Sequence, residues 1–330
     1  MPLTTSVTVA SHMMTEIMSI ANLAPLRARH VGLQLCNASN IDGEASLSRV
    51  IPKRTAIAEA VDDVEGVEFT GYVAFGFGSS ITLTPTAKVQ GVSPTVKSLR
   101  KRMPGATYEQ VKEAVRSGNP AMIPMLVEIY SEILASHHDA LERAALATYV
   151  VASESAGTTN TPLSFATLID AKTKVLDNNP EHYGLVAVIS QVGLSQLQLE
   201  ILSATTGLAS VWGDGMAQSF LAAIGGADAA PAIPSGQSIA GVQIYVAAKS
   251  LMSTANAAVD TVGAVHLLGR GVTGAPGSLR GHAEACEGHA PSMSLVLDDS
   301  ADVAEAIGRH EWDVEEHTDE HICKLIHKAV

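Results

Sequence analysis

Along the chain, stretches without a sustained hydrophobic period give way to strand-type alternation, then to helical spacing, and finally to a mixture of the two. Residues 1–45 have no period, carry Arg27, Arg29 and His30, and end in the turn-rich run from Asn37 to Gly43, which predicts an extended arm. Between Ser46 and Thr84, Val67, Phe69, Gly71, Val73 and Phe75 share one parity, and Ile81 and Leu83 repeat it after Gly76–Ser80. That alternation predicts a long hairpin or a pair of strands. Asp62, Asp63, Glu65 and Glu68 lie on the same section, whose apolar face is too thin to fold alone.

Helical signals begin at Thr107, where Thr107–Gln110 fits a capping box, and Gly118-Asn119-Pro120 closes a short helix. A longer helix follows over roughly seven turns, with Met122, Leu126, Ile129, Ile133, Ala140, Leu141 and Ala144 at three-to-four spacing. Glu128, Glu132, His138 and Glu142 fall on its other faces, and Pro124 sits in the first turn, where proline is tolerated. After the polar stretch Ser153–Thr161, helices are expected over 164–177, 192–203 and 214–224, and strands over 185–189, 239–246 and 261–268. A loop with Ser253, Thr254 and Asn256 separates the last two. The tail reads as a strand at 293–297, a small helix capped by Asp299 or Ser300 and stopped by Gly308, and strand-like segments at 310–314 and 321–326. There is no internal repeat and no low-complexity segment.

Composition narrows the classes. The 330 residues are 46% hydrophobic, enough for a sizeable core, which excludes disorder as the main state. Only 17% are charged and the mean hydropathy is +0.20, which suits a subunit that covers much of its outside with neighbours. With 21 Lys+Arg against 34 Asp+Glu, the net charge of −13 repels polyphosphate and argues against a sequence reader of nucleic acid. Cys36, Cys286 and Cys323 build neither a disulfide framework nor a Cys-rich zinc site, so a reducing compartment is expected. The longest uncharged stretches, 71–87 and 229–248, contain proline, glycine and polar residues and do not read as membrane spans. The first residues lack a secretory signal, so an intracellular product is expected. Ala10–Met13 resembles a cloning junction, with Met13 or Met14 as the alternative natural start.

Candidate chemistry is thin. Gly269–Gly274 matches G-x-G-x-x-G after an apolar strand, but Ala275-Pro276-Gly277-Ser278 continues as loop where a dinucleotide site needs a helix start. The tail concentrates His310, Glu311, Glu315, Glu316, His317, Glu320, His321, Cys323 and His327, with His282, Cys286 and His289 upstream. His317, His321 and Cys323 are the metal candidates, set against a solvated or interface-facing acidic strand on which they simply alternate. Ser190 is the best-placed hydroxyl, and Ser190-Gln-Val-Gly is also a helix N-cap. Lys97, Arg100, Lys101 and Arg102 form a basic cluster that could face phosphates, an acidic partner or solvent.

Glu65–Thr70 and Ile81–Pro85 look like parts of an extended loop leading toward a spine helix, and Glu132–Asp139 like the end of that helix. Leu168–Lys172, Leu185–Ile189, Ala240–Tyr245 and Gly263–His266 look like axial-domain elements in order. Together with the arm and the returning strands, this order resembles the major capsid proteins of tailed bacteriophages, the Hong Kong 97-like fold. The resemblance implies an α+β chain with an N-terminal arm (1–45), an extended β-hairpin loop (46–84), a peripheral domain with the spine helix (85–160), an axial domain (161–290) and peripheral return strands (291–330). It implies self-assembly through hexamers and pentamers into an icosahedral head enclosing double-stranded DNA. Scaffold, portal and decoration proteins would be its partners, and packaged DNA would be touched non-specifically.

No catalytic residue, cofactor or membrane contact is implied, and the expected place is the virion, assembled in the host bacterial cytoplasm. Arg27, Arg29, Arg100, Lys101 and Arg102 are the candidates for facing genome or partner. Some family members join subunits covalently through lysine and asparagine. Lys53 and Asn178-Asn179 are the nearest residue types here, no motif aligns them, and a non-covalent shell is expected. An encapsulin-like nanocompartment shares the fold and remains an alternative, as does, in another class, a metal-dependent enzyme using the His/Glu-rich tail.

Overall fold

A computed structural model describes residues 5–7, 31–35, 37–40, 49–54, 77–93, 95–101, 103–117, 123–178, 184–203, 238–239, 241–254, 260–267, 279–284, 292–298, 303–316 and 321–329. In chain order they form β1 (Thr5–Val7), α1 (Val31–Leu35), β2 (Asn37–Asn40), β3 (Arg49–Arg54), β4 (Phe77–Leu83), β5 (Thr86–Val92), α2 (Val96–Arg100), α3 (Tyr108–Ser117) and α4 (Ile123–Ala147). A 3-10 turn (Thr148–Val151) leads to β6 (Glu154–Ala156), α5 (Phe165–Asn178), β7 (Leu185–Ser190), α6 (Gln191–Leu202), β8 (Ser238–Ile239), β9 (Val242–Ala247) and β10 (Asp260–Leu267). The described elements of the tail are strands: β11 (Leu279–Glu284), β12 (Ser292–Asp298), β13 (Val303–Glu316) and β14 (Ile322–Lys328).

Two six-stranded sheets organise these elements. The first has the order β1-β12-β13-β11-β2, with β5 also on β13, so it joins strands from both ends of the sequence. The second has the order β6-β14-β10-β7-β9-β8. Its middle strands β7 and β10 are buried at every residue, as expected for strands covered on both faces. Alternate residues feed opposite cores. Leu185, Ala187, Ile189, Val265 and Leu325 pack with Phe165, Leu168, Val175, Leu194 and Leu197 of α5 and α6. Val186, Val188, Val262, Ala264 and Ile322 pack with Val31, Leu146 and Tyr149 on the other side. The strands β3 and β4 form a separate two-stranded pair.

The 25 residues of α4 span about 37 Å at helical rise. The first half inserts Leu126, Ile129, Tyr130, Ile133 and Leu134 into a third core with α2, α3 and Ala306 of β13. The last turns place Ala145 and Leu146 in the core that covers the second sheet. One helix therefore belongs to two cores.

Local signals form as the sequence predicts. Gln110 N–H donates to Thr107 Oγ1 (3.3 Å) and Thr107 N–H to Gln110 Oε1 (2.8 Å), closing the capping box. Elsewhere the structure corrects the expectation. Residues 303–308 are not a small helix: they begin the fourteen-residue strand β13, which pairs with β12, β11 and β5. Gly308 does not stop a helix but gives α4 room, since a Cβ there would meet Ile133 Cγ2. Asn37–Asn40 is not a turn but β2, parallel to β11, because an outer strand needs main-chain pairing rather than apolar side chains. Within the predicted arm, β1 pairs with β12 and α1 buries Val31 and Leu35. The strand expected over 239–246 is an antiparallel pair, β8 and β9, with Gly241 before β9 at φ 80°.

His138 and Glu142, on the other faces of α4, are both buried. Glu132–Asp139 lies in the middle of that helix, not at its end. The residues Val67–Phe75, 214–224 and 269–274 lie outside the described ones. Overpacking a tight site costs about 1–3 kcal/mol. In urea denaturation, Gly308→Ala is therefore expected to lower the unfolding free energy by that amount, whereas Gly91→Ala on β5, where a Cβ would have its nearest neighbour 3.9 Å away, is expected to cost less than about 1 kcal/mol.

Candidate functional site

The hydroxyl singled out in the sequence, Ser190, ends β7 and caps α6: its Oγ accepts from Gly193 N–H at 3.1 Å. The same Oγ lies 2.9 Å from His327 Nε2 on β14. With the helix N–H directed at the oxygen, the hydroxyl proton is free to donate to the ring, which places the acceptor nitrogen at Nε2. This resembles the start of a nucleophile–base pair, but both residues are fully buried and no substrate can reach them. Burial pushes His327 down to about 4, against the raising effects of the Leu325 backbone and the Asp260 charge. Asp260 is itself buried, and its Oδ1 accepts from Asn160 N–H at 2.6 Å. The arrangement is a polar joint that ties α6, β14 and β10 together.

A second joint lies on the opposite face of the sheet. Tyr149 Oη is 3.3 Å from His266 Nε2, while His266 Nδ1 is 3.2 Å from the Leu267 carbonyl. A carbonyl only accepts, so Nδ1 carries the proton and Nε2 accepts from the phenol. Burial holds this ring at about 4 as well. The 3-10 turn that follows α4 is thereby fastened to β10.

A third group sits where α4 crosses β13. His137 and His310 pack edge to face with centroids 5.8 Å apart, and His138 is buried beside them on the helix. Burial lowers His137; the Gly308 backbone opposes this and His310 adds to it. One turn on, Glu142 Oε1 accepts from Gly32 N–H at 2.8 Å and anchors α1. A side chain at Gly32 would meet that carboxylate at 3.0 Å, so a glycine fits the approach. Sequence reasoning missed these joints. The signal was the i,i+4 row Leu134, His138, Glu142, Leu146, in which two polar residues continue an apolar stripe.

The tail residues separate. Cys323 is fully buried in β14, and burial raises its thiol to about 11, partly offset by Lys174, so it is not a thiolate ligand. His321 is half-buried at the start of that strand, and His317 lies outside the described residues. His310, Cys323 and His327 are core residues, which corrects for these positions the reading of the tail as a solvated or interface-facing acidic strand. Among the described residues no three His, Cys, Asp or Glu side chains gather where they could hold a metal. Arg100 and Lys101 are exposed, Arg100 lying 5.2 Å over the Tyr108 ring; Arg27, Arg29 and Arg102 are outside the described residues. No described helix is long and apolar enough to cross a membrane.

The outside also carries apolar groups, including Val89 on β5, Val151, Ile169 on α5 and Leu199 on α6, the last 65% exposed. β5 pairs only with β13 among the described residues, which leaves a strand edge able to accept another strand.

No protein-family model matches the chain, and no curated protein matches it in sequence. Its backbone is nonetheless similar to solved structures. A chain of Mycobacterium phage Che8 matches with a TM-score of 0.56 at 12% identity, covering 90% of this chain and 91% of that one. The capsid of an empty GTA particle matches with a TM-score of 0.55 at 12% identity, over 91% and 90% of the two chains. The capsid of Ralstonia phage GP4 matches with a TM-score of 0.52 at 10% identity, over 92% and 91%. At such identities the likeness is one of fold, and the chain has the α+β fold of those capsid chains.

Acid sensitivity follows from the histidine joints. His266 and His327 stay neutral in the folded chain down to about 4, whereas in the unfolded chain they bind protons below 6.5. Unfolding takes up protons in that window, so stability is full above 6.5 and falls as pH drops to about 4, by roughly 3 kcal/mol per ring. Urea denaturation across this range is expected to show the decline, and His266→Gln or His327→Gln to make it shallower. Separately, Glu142→Ala strands a buried N–H and is expected to cost about 1–3 kcal/mol and to speed proteolysis near Gly32.

Proposed function

We propose that this chain is the repeating subunit of an icosahedral phage head, a structural protein that assembles with copies of itself. The observation that carries the reading is the fold shared with capsid chains over nine-tenths of both partners. Three properties of the residues support it. The low charge content and exposed apolar side chains suit a surface that is covered on assembly. The edge of β5, which has no second strand among the described residues, can add main-chain hydrogen bonds without demanding a particular sequence. The nearest arrangement to a catalytic pair, Ser190 with His327, is sealed in a core, which suits a protein that does no chemistry.

In this reading subunits group as hexamers and pentamers, held non-covalently, and many weak contacts add up to a stable closed shell. The shell belongs to the virion, is built in the host cytoplasm, and encloses DNA that its negative subunits touch only locally. Scaffold, portal and decoration proteins are the expected further partners. Sedimentation velocity with negative-stain electron microscopy of the purified protein tests the reading. Closed particles tens of nanometres across are expected; a persistent 34.3 kDa monomer, with or without added scaffold, would contradict it.

A further inference from the structure

Three buried histidines meet where α4 crosses the first sheet, and the self-assembly proposed above uses none of them. His137 and His138 on α4 and His310 on β13 are 3%, 7% and 0% exposed. Along β13 burial alternates: Ala306, Gly308, His310 and Trp312 are covered, while Glu305, Arg309 and Glu315 are exposed. The covered row faces α4, because a Cβ on Gly308 would meet Ile133 Cγ2 and stand 3.4 Å from His137 Nε2. His137 and His310 pack edge to face with centroids 5.8 Å apart, and His137 Nε2 has no hydrogen-bond partner among the described residues.

Such a contact suits uncharged rings. Among the described residues, the titratable and charged groups around it come from four elements. α4 itself brings His138 and, one turn on, Glu142, whose Oε1 already accepts from Gly32 N–H at 2.8 Å. β13 brings His310. β5 brings Lys88, opposite His310 in the ladder, with its ammonium 5.1 Å over the Trp312 ring. α3, on the same core, buries Lys112, whose Nζ lies 3.9 Å from Glu109. The residues of α1 carry no titratable group, and β12 places Met293 opposite Gly308. A proton on His137 therefore puts a positive charge against His310 and beside Lys88, in a site without water.

Burial keeps His137 below the ordinary 6.5, opposed by a hydrogen bond to the Gly308 backbone and reinforced by His310. A ring released into water binds its proton at the ordinary value. Opening of the contact thus takes up a proton below 6.5, and for this one ring the open fraction rises by up to about tenfold per pH unit.

We propose that the His137–His310 contact is an acid-opened latch, which holds α4 on β13 in neutral solution and lets the first sheet part from the helix in mild acid while the second sheet stays folded. At neutral pH the latch is closed and α4 joins both cores. The buried rings of the second sheet differ in kind: His266 and His327 accept hydrogen bonds from Tyr149 and Ser190 and stay neutral down to about 4, through the window in which the latch opens. The device belongs to the single chain and does not depend on assembly.

Trp312 reports on it, since it lies in the covered row two residues from His310, and Trp212 is the one other tryptophan. In full-length protein carrying Trp212→Phe, acrylamide quenching of Trp312 is expected to rise by up to about tenfold per pH unit below 6.5, while far-UV circular dichroism is unchanged. His137→Gln keeps an amide for the Gly308 backbone but does not titrate, and is expected to abolish the rise. His310→Gln removes the opposing ring and is expected to move the rise to lower pH. Quenching that stays flat until the circular dichroism signal is lost would overturn the proposal, and so would an unchanged rise in His137→Gln. Where a substitution leaves the chain unfolded at neutral pH, the indole N–H resonance of Trp312 in the wild-type chain decides. A shift or broadening in mild acid, ahead of global unfolding, supports the latch; a resonance constant until the chain unfolds overturns it.

Discussion

A single helix has to satisfy two hydrophobic cores at once, and the rest of the structure is arranged around that demand. Over Leu126–Leu134, α4 buries side chains against α2, α3 and the first sheet; over Ala145–Leu146 it buries them against the second sheet and α1. Between these stretches lie His137, His138 and Glu142, all buried and all polar. Where the helix passes from one core to the next, neither apolar cluster is continuous. Directional contacts, to Gly32 by hydrogen bond and to His310 by ring packing, hold the neighbouring elements there.

The consequence is a rigid strut with a sheet at each end. The first sheet draws β1 and β2 from one end of the sequence and β11 to β13 from the other, so the chain closes on itself around α4. The second is stiffened on both faces by neutral histidines that accept hydrogen bonds from Tyr149 and Ser190. Among the described residues, what is left outside includes an edge of β5 without a second strand and exposed large apolar groups on the α5 and α6 surfaces.

Much of this was legible where the signal is local. The capping box at Thr107, the cap at Ser190, the period of α4 and the continuous apolar run of β7 depend on residues within one or two turns, and each forms. The order of the elements also carried the fold class. The misreadings involve partners far away in sequence. Val303–Gly308 has a spacing that suits a helix, but β12 and β5 flank it and Ile133 needs the space at Gly308, so pairing overrides spacing. Asn37–Asn40 is polar enough for a turn, yet β11 supplies a parallel edge nearly 250 residues on. His138 and Glu142 are polar positions on α4 that are buried all the same, Glu142 by its bond to α1. The histidine joints were invisible for the same reason: Ser190 and His327 are 137 residues apart.

Native-state hydrogen exchange along α4 tests the central claim, that this helix makes two cores into one cooperative unit. Amides of Leu126–Leu134 and of Leu141–Leu146 are expected to exchange with the same free energy and the same denaturant dependence, opening only when the whole chain unfolds. If the two halves open separately, with different free energies and different denaturant slopes, the helix does not couple the cores and the account of the chain as a single cooperative unit is wrong.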